Sequence, residues 1–498
     1  MLDATRSQQC LARLCQLITP QLLLELWPIV LRIARHIHRF RNEPVSPSAT
    51  HRFETELASL LCELGRRIVQ WTLNHVEADD RAMLPRSLFW QNDHYRLKRR
   101  SPTRNVNCLF GKIRVWRWLY EPTEGLGLSS LFPLDLKLGL VCGVATPALA
   151  DRVAQLAVDF SQRQLLAVLR DQHQVSWGAE TLRKVTAAMA EAMSPFRHAA
   201  QVEQVLGWLR QAAEESGPRR IVLSAGRDGI MLPIRLLKKY REGATATLSV
   251  FNRRGKRLGT VYLGQMPEAG QVTLSEELTR LIQDVLSAWE GPPLRLVYVT
   301  DAGFHPSEYF EKVLRHMPDP WHPDKYLQWE WVVDYYHACQ YISQLGEAIF
   351  GPGRAAHAWA AKMRRWLKEK PGGVFRVLRS AGALRSIRDL VGEESDYDKA
   401  YDYLRGHASS MDYCTCRRLR KPIGSGVTEA ACKIVFTQRF KRAGMKWNIA
   451  DGASILALRV IALSRIWPTV RDATLVSNYK NHPRTPKASH GKPLKIAA

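Results

Sequence analysis

The 498-residue sequence lacks any long run of apolar residues. No segment approaches the roughly 18 uninterrupted apolar residues that a membrane-spanning helix needs. The longest early apolar segment, residues 22–34, is interrupted by Glu25, Pro28 and Arg32, which is typical of a packed helix. The first residues also lack the apolar core and the small-residue cleavage site of a signal peptide. We therefore expect a cytoplasmic protein with no membrane partner.

Cysteine is scarce and lacks the spacing of a metal knuckle. The nine cysteines are scattered and odd in number, and Cys414 and Cys416 are separated by one residue where zinc knuckles typically have two. We expect reduced thiols and no structural zinc. A P-loop, a dinucleotide-binding fingerprint and a Ser-His-Asp motif are also missing from the sequence, so none of these competes with the chemistry considered below.

Acidic residues are outnumbered by basic ones. The sequence has 72 Lys and Arg against 47 Asp and Glu, which gives a formal net charge of +25 and a pI near 9.9. Such an excess indicates a polyanionic partner, with nucleic acid as the first candidate and an anionic membrane surface as the second. Some basic proteins have no such partner, so charge alone leaves this open.

Periodicity and composition divide the chain into four predicted parts. Residues 1–90 have the pattern of amphipathic helices, with a break at 41–48. Residues 91–215 combine a basic hairpin with further helices, and residues 216–470 alternate strands and helices around a helical insertion at about 340–420. Residues 471–498 form a basic tail with few apolar residues, which we predict to be disordered.

Two features of the second part are candidates for DNA binding. Residues 106–120 alternate apolar and basic side chains in their later half, which predicts a β-hairpin with one basic face. Two helices follow, separated by a short link at 174–176, and the second carries Arg183 and Lys184, an order that resembles a helix-turn-helix. A solvated strand face and an ordinary packed helix pair are the alternatives, and both stay open.

The third part has the element order of an RNase H-like α/β core. Three strands are predicted at 220–233, 246–251 and 260–264, then a helix at 274–289, and then strands at 294–300 and 327–333. Asp228 lies within the first strand and Asp301 at the end of the fourth. Because these strands are neighbours in an RNase H-like sheet, the two carboxylates would lie within reach of one cation. Asp is also depleted in strands and costly to bury unpaired.

A third acid, Glu429, follows a Gly-Ser-Gly turn near the start of a helix that we expect Ser425 to cap. Taken singly, each acid has an ordinary explanation, as a turn residue or as a helix-dipole partner. Taken together, three carboxylates suit a pair of Mg²⁺ or Mn²⁺ ions about 3.5–4 Å apart, which activate one oxygen and stabilise another in phosphodiester chemistry. We predict Asp228, Asp301 and Glu429 as metal ligands and catalytic residues.

Basic residues are concentrated just after Glu429. Beside a phosphodiester site these side chains are candidates for binding the DNA backbone, although a solvated basic face would look the same. Trp447 is a candidate for stacking on a base. The basic candidates are Lys433, Arg439, Lys441, Arg442 and Lys446.

Four motifs give the sequence a specific resemblance. They are Gly226-Arg-Asp-Gly-Ile, Thr300-Asp-Ala-Gly-Phe, Asp334-Tyr-Tyr-His337, and the segment from Pro422-Ile-Gly-Ser-Gly-Val-Thr-Glu429 to Arg439-Phe-Lys-Arg-Ala-Gly-Met-Lys-Trp447.

Over roughly residues 95–467 the chain resembles bacterial insertion-sequence transposases of the Asp-Asp-Glu class, in the group related to Mutator-type elements. The resemblance implies that Asp228, Asp301 and Glu429 form the catalytic triad, and that Asp334 and His337 are accessory residues that assist the metal site or the bound DNA ends. Relatives often carry a cysteine pair after the basic hairpin, and residues 118–124 have none.

From this resemblance we expect a nucleoid-associated enzyme that binds the terminal inverted repeats of its own mobile element. It would cut DNA with Mg²⁺ or Mn²⁺ and join the freed ends to target DNA, as a homo-oligomer of at least two copies. Two alternatives stay open: a domesticated, non-catalytic DNA-binding protein, and an RNase H-like nuclease that selects branched DNA.

Overall fold

The computed structural model describes residues 19–123, 128–235, 239–387, 389–390 and 394–480. The expectations for the first eighteen residues and for the tail beyond residue 480 lie outside this range. Residues 471–480, which the composition also places in the disordered tail, are helical, so that part of the prediction is wrong. The chain divides into two compact units, one of Met1–Met189 with Arg471–Ala498 and one of Ala190–Val470. Helices, one mixed sheet and two antiparallel sheets build the described part, so the expected mixed α/β class is confirmed.

Two amphipathic helices begin the first unit, as the periodicity predicts. Helix α1 spans Pro20–Asn42 and helix α2 spans Pro47–Asn74, with a proline in the first turn of each. The Ser46 side chain caps α2 by accepting a hydrogen bond from the Ala49 amide. The predicted break between the two helical blocks is therefore present.

The predicted hairpin is present within a three-stranded antiparallel sheet. Strand β1 spans Ser87–Trp90, β2 Asp93–Cys108 and β3 Gly111–Pro122. In the first half of β3, buried Ile113 and Val115 alternate with exposed Lys112 and Arg114, which matches the expected basic face.

Arg117, farther along the same strand, departs from this alternation. It is buried and hydrogen bonds to Asp135 at 2.5 Å, with its guanidinium 3.8 Å from the centroid of the Phe132 ring. This basic side chain is therefore part of the packing of the first unit and not part of its basic surface.

Four helices follow the hairpin. They are α3 (Pro133–Lys137), α4 (Pro147–Asp159), α5 (Gln162–His173) and α6 (Ala179–Glu214).

The two helices of the expected helix-turn-helix correspond to α5 and α6. A capping box between Ser161 and Gln164 begins α5. Helix α6 continues for 36 residues, far beyond the turns that carry Arg183 and Lys184. Pro195 lies inside α6 without ending it. Buried residues on either side of the proline, among them Met193 and Val205, hold the helix in place, so packing overrides the local breaking signal.

The second unit is built on a five-stranded sheet. Its elements, in chain order, are β4 (Val222–Ile234), β5 (Lys239–Phe251), β6 (Arg257–Gln265), α7 (Val272–Ser287), β7 (Arg295–Thr300), α8 (Phe304–Lys312), β8 (Pro318–Asp319), β9 (His322–Tyr326) and β10 (Trp329–Val333).

The strands of this sheet lie in the order β10-β7-β4-β5-β6. β4, β5 and β6 pair antiparallel, whereas β7 pairs parallel with both β4 and β10. The prediction that the first and fourth strands are neighbours is confirmed. Strands β8 and β9 form a separate small antiparallel pair that the sequence did not predict.

One face of the five-stranded sheet packs on α7. Leu278, Ile282 and Val285 of this helix are fully buried in a core that also contains Ala246 of β5. Arg227 of β4 is buried too, and it donates hydrogen bonds to Ser275 Oγ at 2.8 Å and Gln271 Oε1 at 2.9 Å. This arginine holds β4 to the start of the helix.

Helices dominate the rest of the second unit, as expected for the insertion at about 340–420. They are α9 (Tyr335–Phe350), α10 (Arg354–Glu369), α11 (Gly373–Ile387), α12 (Glu394–Gly406), α13 (Tyr413–Arg418), α14 (Gly426–Ala431), a π-helical turn (Cys432–Thr437), α15 (Gln438–Phe440), α16 (Ile449–Leu463) and α17 (Trp467–Lys480), the last of which runs past the end of this unit.

Within the described ranges, none of the helices combines the length and the apolar character needed to cross a membrane. Seven cysteines lie in those ranges, and all seven are free thiols.

Candidate active site

Asp228 and Asp301 occupy matched positions on two neighbouring parallel strands. The last residues that β4 and β7 pair with each other are Ala225 and Tyr298. Asp228 and Asp301 each lie three residues beyond that pair. Since the two strands run in the same direction, this register brings both aspartates to the same edge of the sheet, where the carboxyl end of β7 lies.

Helix α14 brings Glu429 to this edge through a close contact with β4. A β-carbon on Gly226 would lie 2.2 Å from Thr428 Oγ1 and 3.0 Å from the Val299 carbonyl oxygen. Thr428 also shares a hydrogen bond of 3.0 Å with the Thr247 hydroxyl of β5. The absence of a side chain at Gly226 therefore allows the helix that carries Glu429 to lie directly on the strand that carries Asp228.

Asp301 and Glu429 both lie within electrostatic reach of Asp228. Burial is the largest cause that raises the pKa of Asp228 to about 6, and the negative charges of Asp301 and Glu429 contribute to the rise. Hydrogen bonds from the Cys432 thiol and the Gly229 amide act in the opposite direction. The structure thus brings together the three residues that the sequence predicted as one site.

Local hydrogen bonds orient both aspartates. Asp228 Oδ1 accepts from the Gly229 amide at 2.8 Å, and Asp301 Oδ1 accepts from the Gly303 amide at 2.9 Å. The Tyr403 hydroxyl of α12 donates to the Asp301 carbonyl oxygen at 2.8 Å. The helical insertion therefore supports the strand end that carries Asp301.

Asp334 is fully buried at the start of α9 and makes hydrogen bonds with both carboxylate oxygens. Oδ1 accepts from the His337 amide at 2.8 Å, which caps the helix. Oδ2 accepts from the amide and from the hydroxyl of Ser425. His337 packs its ring edge-on against the rings of Tyr341 and Tyr403, the latter being the residue that contacts Asp301.

Ser425 occupies the expected N-cap position of α14, but its side chain does not cap the helix. The hydroxyl lies 2.5 Å from Asp334 Oδ2 and 2.8 Å from Glu429 Oε1. Our expectation of side-chain capping is therefore wrong. The buried Asp334 carboxylate requires hydrogen-bond donors. The Ser425 hydroxyl donates to that carboxylate and does not accept from the amides of the helix.

The backbone after Glu429 widens into a π-helical turn over Cys432–Thr437. Such turns are rare, and they occur frequently at functional sites. Arg459 of α16, which is 1% exposed, donates through Nε to the carbonyl oxygens of Ile434 and Val435, each at 2.8 Å. A buried guanidinium thus satisfies backbone acceptors in the widened turn.

The basic candidates divide into exposed and buried residues. Arg183 and Lys184 are exposed on α6, where both pair with Glu180. The candidates beyond the active-site helix that are exposed are Lys433, Lys441, Arg442 and Lys446.

Arg439 and Trp447 contact each other inside the second unit. Arg439 is 3% exposed and lies 4.9 Å from the centroid of the Trp447 ring. The Trp447 indole N–H donates to the Phe440 carbonyl oxygen at 3.0 Å, and the Trp447 and Phe440 rings lie 4.5 Å apart. Arg439 and Trp447 thus hold the turn after α15 together, with Arg439 buried and Trp447 half-buried.

The chemistry of the three acids fits the divalent ions that the sequence predicts. Carboxylate oxygens are the hard ligands that Mg²⁺ and Mn²⁺ prefer. Burial is the largest cause of the raised pKa of Asp228, and the charges of Asp301 and Glu429 add to it; a cation would offset the charge contribution. In the described part of the chain, as its side chains lie, no group of three or more His, Cys, Asp or Glu has the spacing of a ligand set. The acids would have to turn toward one another around an ion.

Comparisons with known proteins do not assign this chain to a family. Neither the protein-family models nor the curated proteins include a match to this chain.

Several residues that shape the site were not singled out from the sequence. Cys432 contacts Asp228 and the Thr245 hydroxyl, Tyr403 contacts Asp301, and Arg459 holds the π-helical turn. Only Arg459 had a visible signal, because it is a lone charge in the apolar run Ile455-Leu-Ala-Leu-Arg-Val-Ile. An arginine in such a run is expected to be buried and to have polar partners.

Proposed function

We propose that the chain is a DNA transposase with an RNase H-like core, whose active site consists of Asp228, Asp301 and Glu429. The observation that carries this proposal is the placement of Asp301 and Glu429 close enough to Asp228 that, in addition to burial, their charges raise the pKa of Asp228. The strand order β10-β7-β4-β5-β6, with three antiparallel strands followed by two parallel ones, supports the RNase H-like assignment.

The partner that we propose is double-stranded DNA, namely the terminal inverted repeats of the element and its target. The formal net charge of +25 supports a polyanionic partner. Exposed Lys112 and Arg114 on the hairpin, and Arg183 and Lys184 on α6, supply candidate contacts to phosphates. Two element ends must be held together for joining, so we propose that the protein acts as a homo-oligomer of at least two copies.

In this proposal Asp228, Asp301 and Glu429 hold a pair of Mg²⁺ or Mn²⁺ ions. Bound divalent ions supply an activated oxygen nucleophile and stabilise the departing oxygen of a phosphodiester. The chain itself orients the carboxylates: the Gly229 and Gly303 amides fix one oxygen of each aspartate. The half-buried position of Asp228 lowers the local dielectric, which strengthens its attraction for a cation.

The deciding experiment compares Asp228→Asn with the wild-type protein on DNA that carries the element's ends. We expect the variant to lose nicking and strand transfer in Mg²⁺ or Mn²⁺ by at least a hundred-fold, on the order of what removal of a central active-site group costs, and to bind the same DNA. Asp396→Asn, an exposed acid in the same unit, is the matched control and should retain activity.

Two other outcomes would replace the proposal. If wild-type protein binds terminal repeats and never nicks them in either metal, the chain is a non-catalytic DNA-binding protein. Should it cut branched DNA but join no ends, it is a structure-selective nuclease. Undiminished cleavage by Asp228→Asn would refute the assignment of Asp228 to the active site.

A further inference from the structure

Ser425 lies between two carboxylates that belong to different elements. Its hydroxyl contacts Asp334 Oδ2 at the start of α9 and Glu429 Oε1 in α14. Asp334 is 0% exposed and Ser425 is 4% exposed, whereas Glu429 is exposed to solvent. Buried Ser425, which is hydrogen bonded to buried Asp334, thus contacts the one acid of the proposed site that lies at the surface.

The Ser425 amide holds the turn on Asp334 whichever of the two carboxylates accepts the hydroxyl proton. A hydroxyl carries a single proton and donates to one carboxylate at a time. Because the Ser425 amide also donates to Asp334 Oδ2, the turn stays attached to Asp334 when the hydroxyl turns toward Glu429. The backbone holds the turn, and the hydroxyl remains able to orient Glu429.

Two backbone hydrogen bonds fix Asp334 itself relative to the sheet and the turn. The Asp334 amide donates to the Thr300 carbonyl oxygen at 2.8 Å, one residue before Asp301. The Tyr335 amide donates to the Ile423 carbonyl oxygen at 2.9 Å, two residues before Ser425. Asp334 therefore connects the strand end that carries Asp301 with the turn that leads to Glu429.

From these contacts we propose that Ser425 and Asp334 are positioning residues that hold Glu429 beside Asp228 and Asp301. The inference rests on the proposed function and deepens it. Both oxygens of Asp334 accept hydrogen bonds, Oδ1 from His337 and Oδ2 from Ser425, so this acid acts on Glu429 through Ser425.

Metal affinity is the first readout, with Mn²⁺ as the titrant and the full chain as the sample. Groups that orient a metal ligand typically change metal affinity by about 10–100-fold when mutated. We expect Ser425→Ala to weaken Mn²⁺ binding in calorimetry about ten-fold and to raise by the same factor the Mn²⁺ concentration that half-saturates nicking. Affinity for DNA should be unchanged, whereas melting temperature should fall modestly because buried Asp334 loses one hydrogen bond. Ser425→Thr, which restores a hydroxyl, should recover most of both losses.

Hydrogen exchange is the second readout, and it requires neither metal nor activity. Asn at position 334 can still accept the His337 amide but places an NH₂ group where Ser425 now donates. We expect Asp334→Asn to speed amide exchange in residues 424–428 and to weaken Mn²⁺ binding more than Ser425→Ala does. Asp412→Asn is the matched control, because Asp412 also caps a helix, α13, by accepting from the Thr415 amide at 3.1 Å.

The outcomes separate this inference from the proposed function. Unchanged Mn²⁺ affinity in Ser425→Ala, in a wild-type protein that binds Mn²⁺ and nicks DNA, would overturn the positioning role alone. A wild-type protein that binds no Mn²⁺ and cuts nothing would overturn the proposed function. Hydrogen exchange would then still test whether Asp334 holds the turn. Equal protection of residues 424–428 in Asp334→Asn and wild type would show that it does not.

Discussion

Gly226 lies against Thr428, so close that a β-carbon on the glycine would come within 2.2 Å of the threonine Oγ1. The strand that carries Asp228 and the helix that carries Glu429 meet at this point. The distance between Asp228 and Glu429 thus depends on the size of a residue that is not one of the three acids.

We expect Gly226→Ala to destabilise the second unit by about 1–3 kcal/mol, the usual cost of overpacking a core. Because the helix would have to move, nicking should fall further than stability does. Unfolding by urea and nicking at saturating Mn²⁺ would be measured side by side. Gly207→Ala is the control, since a β-carbon at that exposed position of α6 meets nothing within 4 Å.

Thr428→Ala should partly rescue Gly226→Ala, because it removes the atom that the new β-carbon meets first. The double variant is expected to be more stable than the sum of the two single changes predicts. Strict additivity would mean that this contact does not set the position of the helix.

Arg459→Met should destabilise the second unit by on the order of 3 kcal/mol. The change leaves the Ile434 and Val435 carbonyl oxygens without the guanidinium, and an unsatisfied buried acceptor costs about 1–3 kcal/mol. Urea denaturation would measure the loss. Arg280→Met, on the exposed side of α7, should change stability by less than about 0.5 kcal/mol. Similar stabilities for the two variants would contradict the role of Arg459 in the π-helical turn.

Lys112→Ala combined with Arg114→Ala should weaken binding to DNA and flatten its dependence on salt. Each lost phosphate contact reduces the slope of log K against log salt by about 0.9. Two contacts would therefore lower it by nearly two units, as measured by fluorescence anisotropy at several salt concentrations. Lys312→Ala with Arg315→Ala removes the same charge from an exposed site elsewhere and should lower the slope less. If both double variants lower the slope equally, the net charge of the protein, and not a contact at the hairpin, determines the salt dependence of DNA binding.

Glu63 should make the stability of the first unit depend on pH. Hydrogen bonds from Arg66, at 2.7 Å, and Arg67, at 3.0 Å, lower the pKa of Glu63 to about 2. A carboxylate with a lowered pKa contributes its stability above the unfolded pKa of about 4.5, and the contribution is lost as pH falls toward 2. Because the pair is partly exposed, we expect about 1 kcal/mol or less.

Glu63→Gln is the variant that measures this contribution. It should be less stable than wild type at pH 6, and the difference should shrink at pH 3. Arg66→Gln should show the same trend, since it removes the other partner. A difference between wild type and Glu63→Gln that is constant from pH 6 to pH 3 would contradict the ion pair's contribution.

Element order was predictable because periodicity is a local property. Alternation in residues 106–120 predicted the hairpin, and the apolar runs predicted β4 to β7, with the largest error at the start of β5, which begins at Lys239 instead of Ala246. Helix α6 was harder, because Pro195 is a breaking signal that packing overrides. DNA binding, metal binding and catalysis stay predictions.

The sequence by itself predicted the mixed α/β class, the order of the strands along the chain and the three candidate acids, because strand alternation and carboxylates within or at the ends of strands are visible along the chain. Only the tertiary structure decided that Ser425 contacts Glu429 and Asp334 instead of capping its own helix, and that Arg439 and Trp447 pack against each other. These contacts join residues distant in sequence or depend on which side chains are buried, and no local pattern records them. The sequence therefore predicts which residues form the candidate site, and only the fold gives their arrangement.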